Sequence, residues 1–564
     1  MERSEQQNEA AREWWLWVGC LALTLTILQL FRTWWSLRHI PGPFLASITN
    51  LPRVWWVKTG RAHLYHQALH KKYGDVVRLG PRMVSFSNPE AIPTVYPIRP
   101  GFPKSDFYAV LRPYTRERGS MLAVFNTQDE SMHKLIKSPI APLFSLSNVV
   151  HFEGLVEEVL ACLSEQFDKR FVATGEAFDC AEWLQYFAFD VMGTMSFSKR
   201  YGFLEQGRDV NGMLRAIFEF FMVAAPMTQL TWLDPILYKN RLAHSFRQTP
   251  GMSILGFVGK AIGGRLAKSG DVKEDSGFTP PNKDFLARFL ETQKLNPKLP
   301  PWVSTAWTFS NVIAGSDSVG TVMKTAIYHL LSYSESLERL QRELDGANLT
   351  RPYPQWSEVR DLPYLDACIQ EAARLHPPFA LPLERIVPRG GVTVLGHYLP
   401  EGTLVGGNPY VVNRHEATFG PDVEAWKPER WLNAEDDHKR LLEQSLLTFG
   451  AGRRVCLGRH IGIFELKKLL PFLILNYKLR CEMGSSSGSE ALLARFKGES
   501  SEAFERHRYE TSVSNCDLPE VSALHSTRAV NWRLFSANSR NVSVPVMRSV
   551  ASFETLWETR TSED

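Results

Sequence analysis

An excess of charge of one sign is what this 564-residue chain most plainly lacks. Its 64 lysines and arginines face 60 aspartates and glutamates, a net charge of +4. That is far below the density of a protein that tracks a phosphate backbone, so nucleic acid is not an expected partner. Cysteine is also sparse: there are seven, an odd number, with no Cys-x-x-Cys pair among them. A disulfide framework and a structural zinc site are both disfavoured. No repeat of about 20 to 50 residues is visible, and no flavin or nicotinamide fingerprint occurs. What the chain does have is apolar material, 44% of residues against 22% charged, enough for a sizeable core and too little charge for a mostly disordered polymer.

That apolar material includes one long run. Trp14 to Phe31 holds eighteen residues without a charge, bounded by Arg12 and Glu13 before it and Arg32 after it. As a helix it reaches about 27 Å, close to a bilayer's hydrocarbon thickness, and Trp14, Trp15, Trp17, Trp34 and Trp35 lie where interfacial aromatic belts sit. A buried core helix and a cleaved signal peptide are the alternatives. The acidic front and the direct run into Arg32 and Arg38 argue against a signal peptide. Only Arg3 and Arg12 are basic before the span, whereas Arg32, Arg38, Arg53, Lys58 and Arg61 follow it. The charge bias predicts a single-pass anchor with the long part cytosolic.

Pro41-Gly42-Pro43 ends the anchor as a stiff hinge. Lys72 to Val95 reads as short strands separated by turns, Asp129 to Leu344 as mainly helix with a surface loop at Ser269 to Lys283, and Ile386 to Val412 as a second sheet-like patch. The predicted fold class is mainly α with small β-sheets, preceded by one transmembrane helix. Its expected divisions are 1–40 (tail and anchor), 41–481 (catalytic domain) and 482–564, a serine-rich, weakly periodic tail expected to be poorly ordered.

The densest motif is Phe449-x-x-Gly452-x-Arg454-x-Cys456-x-Gly458. A thiolate that ligates haem iron needs backbone N–H groups close to its sulfur, and flanking glycines permit that approach. The apolar run from Arg459 to Leu475 would place a positive helix end at Cys456, and Arg454 could meet a haem propionate. The bland reading is an ordinary buried cysteine, but five fixed positions in ten residues make coincidence improbable. Over roughly Pro41 to Leu479 the chain resembles the cytochrome P-450 superfamily of haem-thiolate monooxygenases. Gly101 to Tyr108 and Trp183 to Tyr186 are similar to its fungal microsomal, pisatin-demethylase-like branch.

Asp317 is the only charged residue from Trp302 to Met323, within Ala314-Gly315-Ser316-Asp317-Ser318. A lone carboxylate on such a helix is a functional candidate; a helix kink with a solvated aspartate is the alternative. Gly315 is expected to leave room for a small ligand, while an acid and a hydroxyl beside it can relay protons to dioxygen. The resemblance makes Ala314, Gly315, Asp317 and Ser318 the oxygen-activation site, with serine in place of the usual threonine. It also implies a structural triad of Glu371, Arg374 and Arg430, and propionate contacts from His133, Lys137 and Arg385. Lysine at 137 replaces the usual arginine and supplies charge without a bidentate fork.

The resemblance implies haem b with iron held by Cys456, dioxygen, and NADPH acting indirectly through a cytochrome P-450 reductase. Lys134, Lys137, Arg453, Arg459, Lys467 and Lys468 form a candidate basic surface for that acidic partner. Segments 107–125, 216–232 and 379–383 correspond to the pocket, and their apolar, aromatic content points to a hydrophobic small-molecule substrate. The implied activity is hydroxylation or O-demethylation in secondary metabolite biosynthesis, at the endoplasmic reticulum membrane. Two alternatives stand beside it. One is an oxygen-independent isomerase or dehydratase, against which Asp317 and Ser318 argue. The other is an inactive protein, because no pocket-closing hairpin is found after Leu479.

Overall fold

The computed structural model describes residues 2–99, 101–115, 119–242, 251–271, 284–482 and 493–496. The uncharged run lies within one helix, α1 (Glu2–Ser36). Its segment Trp14–Ser36 has mean hydropathy 1.7 and an apolar window with no buried residue. The hydroxyls of Thr24, Thr26 and Thr33 donate to carbonyls four residues back, so these three are satisfied within the helix, as a lipid environment requires.

The end of α1 is tied to the body. Arg78, 1% exposed, donates to the carbonyls of Trp34 (2.9 Å), Thr33 (3.1 Å), Ser47 (3.2 Å) and Pro81 (2.7 Å). It neutralises the helix's negative end and supplies donors that the last turn lacks. Gly42 lies against the Arg78 carbonyl at a distance no Cβ would tolerate, so the Pro-Gly-Pro segment is held against the first strand.

The body then runs β1 (Val76–Arg78), β2 (Met83–Phe86), α2 (Glu130–Lys137), β3 (Phe178–Asp179), α3 (Cys180–Phe197), α4 (Met213–Met227), α5 (Val303–Ser332), α6 (Pro363–Leu375), β4 (Arg385–Ile386), β5 (Leu404–Gly407), α7 (Arg459–Asn476), β6 (Leu479–Glu482) and β7 (Leu493–Phe496), with further helices and short strands between. The two sheet-like stretches of sequence join in a single sheet ordered β1-β2-β5-β4. In it β2 runs parallel to β5, with Val84 opposite Val405. A helix Gly251–Asp271 carries through Ser269, so the expected loop starts later than the polar composition suggests; residues 272–283 lie outside the described ones.

The main core packs α3 against α5, and two glycines set how closely. A Cβ on Gly315 would lie 2.7 Å from Met192 Sδ, and one on Gly320 would lie 2.8 Å from Gln185 Oε1. As α5 advances from 315 to 320 its partner falls from 192 to 185, so the helices are antiparallel. α7 crosses the same stretch of α5, where a Cβ on Gly462 would lie 3.3 Å from Val319.

A strand pair that the sequence did not reveal begins at Leu479. β6 and β7 are antiparallel, Leu479 opposite Phe496, and β7 also pairs with β3. The partner strand follows a serine- and glycine-rich stretch that hides its register from a periodicity search. The described sheet therefore reaches beyond residue 481, while residues 497–564 lie outside the described ones.

Candidate functional site

The cysteine loop is shaped by two left-handed residues, Gly450 (φ +64°) and Gly452 (φ +60°). A side chain at 452 would strike the carbonyls of Tyr96 and Pro97, so glycine is required by space as well as by conformation. The turn is closed by the Cys456 N–H, which donates to Phe449 O at 2.8 Å, and Gly458 is the N-terminal cap of α7. The Cys456 thiol is accessible yet deep in the protein, so it lines an internal cleft. Burial pushes its pKa up; the backbone N–H of Gly458, the charges of Lys137 and Arg459, and the N–H of Arg459 pull it back. Those groups favour a thiolate at the positive end of α7.

Around the loop, cations gather from four segments. Arg454 sends Nε and Nη2 to Glu130 Oε1 at 3.0 and 2.7 Å, and its buried Nη1 has no partner among the described residues. His133, 2% exposed, likewise has an unpartnered Nδ1. Burial and then the charges of Arg454, Lys137, Lys104 and Arg453 push it down to about 3. Lys137 donates to Arg453 O at 2.9 Å. Arg385 donates to Tyr108 Oη at 3.2 Å and to Glu384 O at 2.9 Å. One cleft is lined by Arg99, Arg385, Arg453 and Arg454 with Glu130 as its single carboxylate. A set so rich in donors, with two buried nitrogens unused, fits a ligand that carries carboxylates. A haem with its propionates here and its iron at Cys456 meets that description.

Facing it is α5. Ala314 is exposed in the middle of an otherwise largely buried helix, so it borders the internal space. Ser318 Oγ donates to Ala314 O at 2.5 Å. Asp317 is pushed up to about 7 by burial, with the charge of Lys324 opposing. Gly315 does not open a space for a ligand: its missing side chain admits Met192 of α3, and the small residue on the site side is Ala314. This corrects the expectation, which lacked the orientation of the helix.

Glu371, Arg374 and Arg430 meet. Glu371 receives Arg374 through two 2.8 Å bonds, Arg430 Nε at 3.0 Å, Trp431 Nε1 at 2.9 Å and the Lys427 N–H at 3.1 Å. The three pocket segments also converge. Phe379 stacks edge-on against Phe107 (6.0 Å) and Phe125 (6.2 Å), and Ala225 of α4 packs into the same cluster.

Part of the expected basic surface is not surface. Lys468 is wholly buried between Glu153 (2.6 Å) and Glu157 (2.8 Å), and Lys467 is bound to Asp366 (2.6 Å). Adjacent lysines on a helix read as solvated until the carboxylates of distant helices are seen. Sequence reasoning also missed Glu130, Lys104, Tyr108, Gln185 and Lys324 as site residues; Lys104, Tyr108 and Gln185 lie in stretches read only for the branch resemblance, and Glu130 and Lys324 in no motif.

A cysteine at a helix end, opposite a long helix with a buried acid and flanked by carboxylate-seeking cations, defines a haem-thiolate protein. The chain belongs to the cytochrome P450 family, which it matches over residues 41–491. It is 63% identical over 472 residues to cytochrome P450 monooxygenase mfmA of Annulohypoxylon moriforme, covering 82% of this chain and 91% of that protein. It is 55% identical over 459 residues to cytochrome P450 monooxygenase pkfB of Emericella nidulans, covering 81% and 89%. A third relative, cytochrome P450 monooxygenase mpaDE of Penicillium brevicompactum, is 52% identical over 471 residues, 82% of this chain and 54% of that protein. The chain is an oxidoreductase of the monooxygenase class with haem-thiolate iron, and the oxygen-independent and inactive alternatives are not favoured.

Proposed function

We propose that this chain inserts one atom of dioxygen into a hydrophobic small molecule, by hydroxylation or O-demethylation, in fungal secondary metabolite biosynthesis. The reading is carried by one observation: Cys456 sits at the N-terminus of α7 with the N–H groups of Gly458 and Arg459 at its sulfur. Bound haem supplies the activation of dioxygen. Cys456 would hold its iron, and His133, Lys137, Arg385 and Arg454 would hold its propionates. Asp317, with a pKa near neutrality, can both take up and release a proton. Ser318 holds its hydroxyl on the Ala314 carbonyl, on the site side of α5. Serine lacks the methyl that restricts threonine's rotamer, so its hydroxyl is less firmly directed. Phe107, Phe125 and Phe379 form an apolar wall that suits a hydrophobic substrate.

Electrons come from NADPH through a separate reductase. Lys134 and Arg459 are exposed and remain candidates for its docking surface. The anchor, residues 1–40, holds the domain on the cytosolic face of the endoplasmic reticulum. The three relatives, all from fungi, support the metabolic setting. The test is the reduced, carbon-monoxide-bound spectrum of the membrane fraction. The expected result is a thiolate-type Soret band that Cys456→Ala abolishes together with oxidation. Pigment and oxidation that survive that substitution overturn the reading.

A further inference from the structure

The partly buried acid on α5 has a connection that its role as a proton carrier does not by itself require. Asp317, Gly320 and Lys324 stand at i, i+3 and i+7, on one face of the helix. Gln185 of α3, 5% exposed, lies across that face. Its Oε1 accepts from Lys324 Nζ at 2.5 Å. Its Nε2 is 3.5 Å from both Asp317 Oδ1 and Ser316 O. The arrangement depends on Gly320, where a Cβ would come within 2.8 Å of Gln185 Oε1 and 3.1 Å of Nε2. Lys324 is itself 7% exposed, and a buried ammonium is retained only where nearby groups compensate it.

We propose that Gln185 and Lys324 are positioning residues for the reaction: the amide fixes one oxygen of the Asp317 carboxyl, and the ammonium keeps that carboxyl able to ionise. The proposal rests on the reading of Asp317 as the proton-handling acid. Gln185 does not itself exchange the proton. It orients Asp317 by donating to Oδ1 and is held in turn by Lys324. The charged groups that face Lys324 are Asp317 on its own helix, and Asp179 and Glu182 from β3 and α3. His376, just beyond α6, also faces it and is held neutral, pushed down to about 3 by burial. Burial raises Asp317 while Lys324 lowers it. Removing the ammonium therefore moves the acid's titration to higher pH, and the protonated carboxyl then fails to cycle at neutral pH.

The test reads Asp317 in the resting ferric protein without turnover, as the carboxyl C=O infrared band lost in Asp317→Asn. In wild type that band is expected to titrate with a midpoint near 7. In Lys324→Met the midpoint rises by at least about one pH unit, and in Lys324→Arg it stays within a few tenths of a unit of wild type. Gln185→Leu and Gly320→Ala also shift it, the second by displacing the amide while every charge remains. Under turnover, the Lys324→Met and Gln185→Leu variants divert NADPH electrons to peroxide, lowering product per NADPH by more than about threefold, with the carbon-monoxide spectrum unchanged. A wild-type midpoint in Lys324→Met, or wild-type coupling in both variants with the thiolate band intact, overturns the proposal. If Lys324→Met does not take up haem, Gly320→Ala decides, and an unmoved midpoint there overturns it equally. Loss of the thiolate band in wild type would instead be a failure of the functional reading.

Discussion

Glu371, fully buried, and Asp317, partly buried, are both desolvated carboxylates on helices, yet their pKa values shift in opposite directions. Burial alone pushes each up. At Glu371 that push is outweighed by Arg374, Arg430 and the Trp431 indole, and the carboxyl lies below its ordinary range. At Asp317 only the charge of Lys324 opposes burial, and the pKa reaches about 7. Burial is the shared condition and the partners decide the outcome. The first carboxylate is permanently charged and serves as a fixed node. The second is left where small changes in pH change its charge, which suits a group that must gain and lose protons.

The largest effect is expected from emptying the fixed node. Glu371→Gln leaves Arg374 without its carboxylate and Arg430 with only that of Asp422, at 3.0 Å. Backbone carbonyls still hold parts of both: Val423 O accepts from Arg374 at 2.7 Å, and Asp422 O accepts from Arg430 at 3.0 Å. Removing one partner of a buried pair costs about 3–5 kcal/mol, a large share of a domain's total stability. The variant should accumulate little haem-loaded protein, read as absorbance at the Soret band per milligram. A variant that loads fully would show that the surrounding carbonyls, not the carboxylate, hold this corner of the fold.

The titratable carboxylate should behave otherwise. Asp317→Asn should load haem normally and lower oxidation by about 100-fold, and the neutral-pH limb of its rate profile should vanish. Stability gives an independent sign. A carboxyl raised from 3.8 to about 7 in the folded state binds more protons folded than unfolded between those values, so wild-type stability falls as pH rises through that window. The asparagine variant should lose that part of the slope. Identical urea midpoints for the two proteins at pH 5 and at pH 8 would remove Asp317 from the titrating groups.

How much of this was legible in the sequence follows from the distance between partners. Cys456 and its glycines lie within ten residues, and Glu371 with Arg374 within four, so spacing alone exposes them. Asp317 stands out because its neighbours are uncharged. Gln185 and Lys324 are 139 positions apart, and Glu130 and Arg454 are 324 apart. No local pattern marks such pairs, because each is created by helices meeting. Lys467 and Lys468 were misread for the same reason. Their neutralising carboxylates come from Glu153, Glu157 and Asp366, which only the folded chain brings near.

The smallest effect sharpens the contrast between the two faces of α5. Gly315 faces Met192, whose flexible thioether lies 2.7 Å from the missing Cβ position, whereas Ala314 borders the internal space. Gly315→Ala therefore sets about 1 kcal/mol of helix propensity against displacement of a side chain that has three rotatable bonds. The two terms nearly offset, and the unfolding free energy should change by no more than about 1 kcal/mol. Carbon-monoxide binding to the reduced protein should be unchanged, because the added methyl lies between helices. Ala314→Leu, one position earlier, should slow that binding while leaving the helix packing intact. If instead Gly315→Ala slows ligand entry and Ala314→Leu does not, the helix presents the opposite face to the cysteine, and the acid at 317 turns away with it.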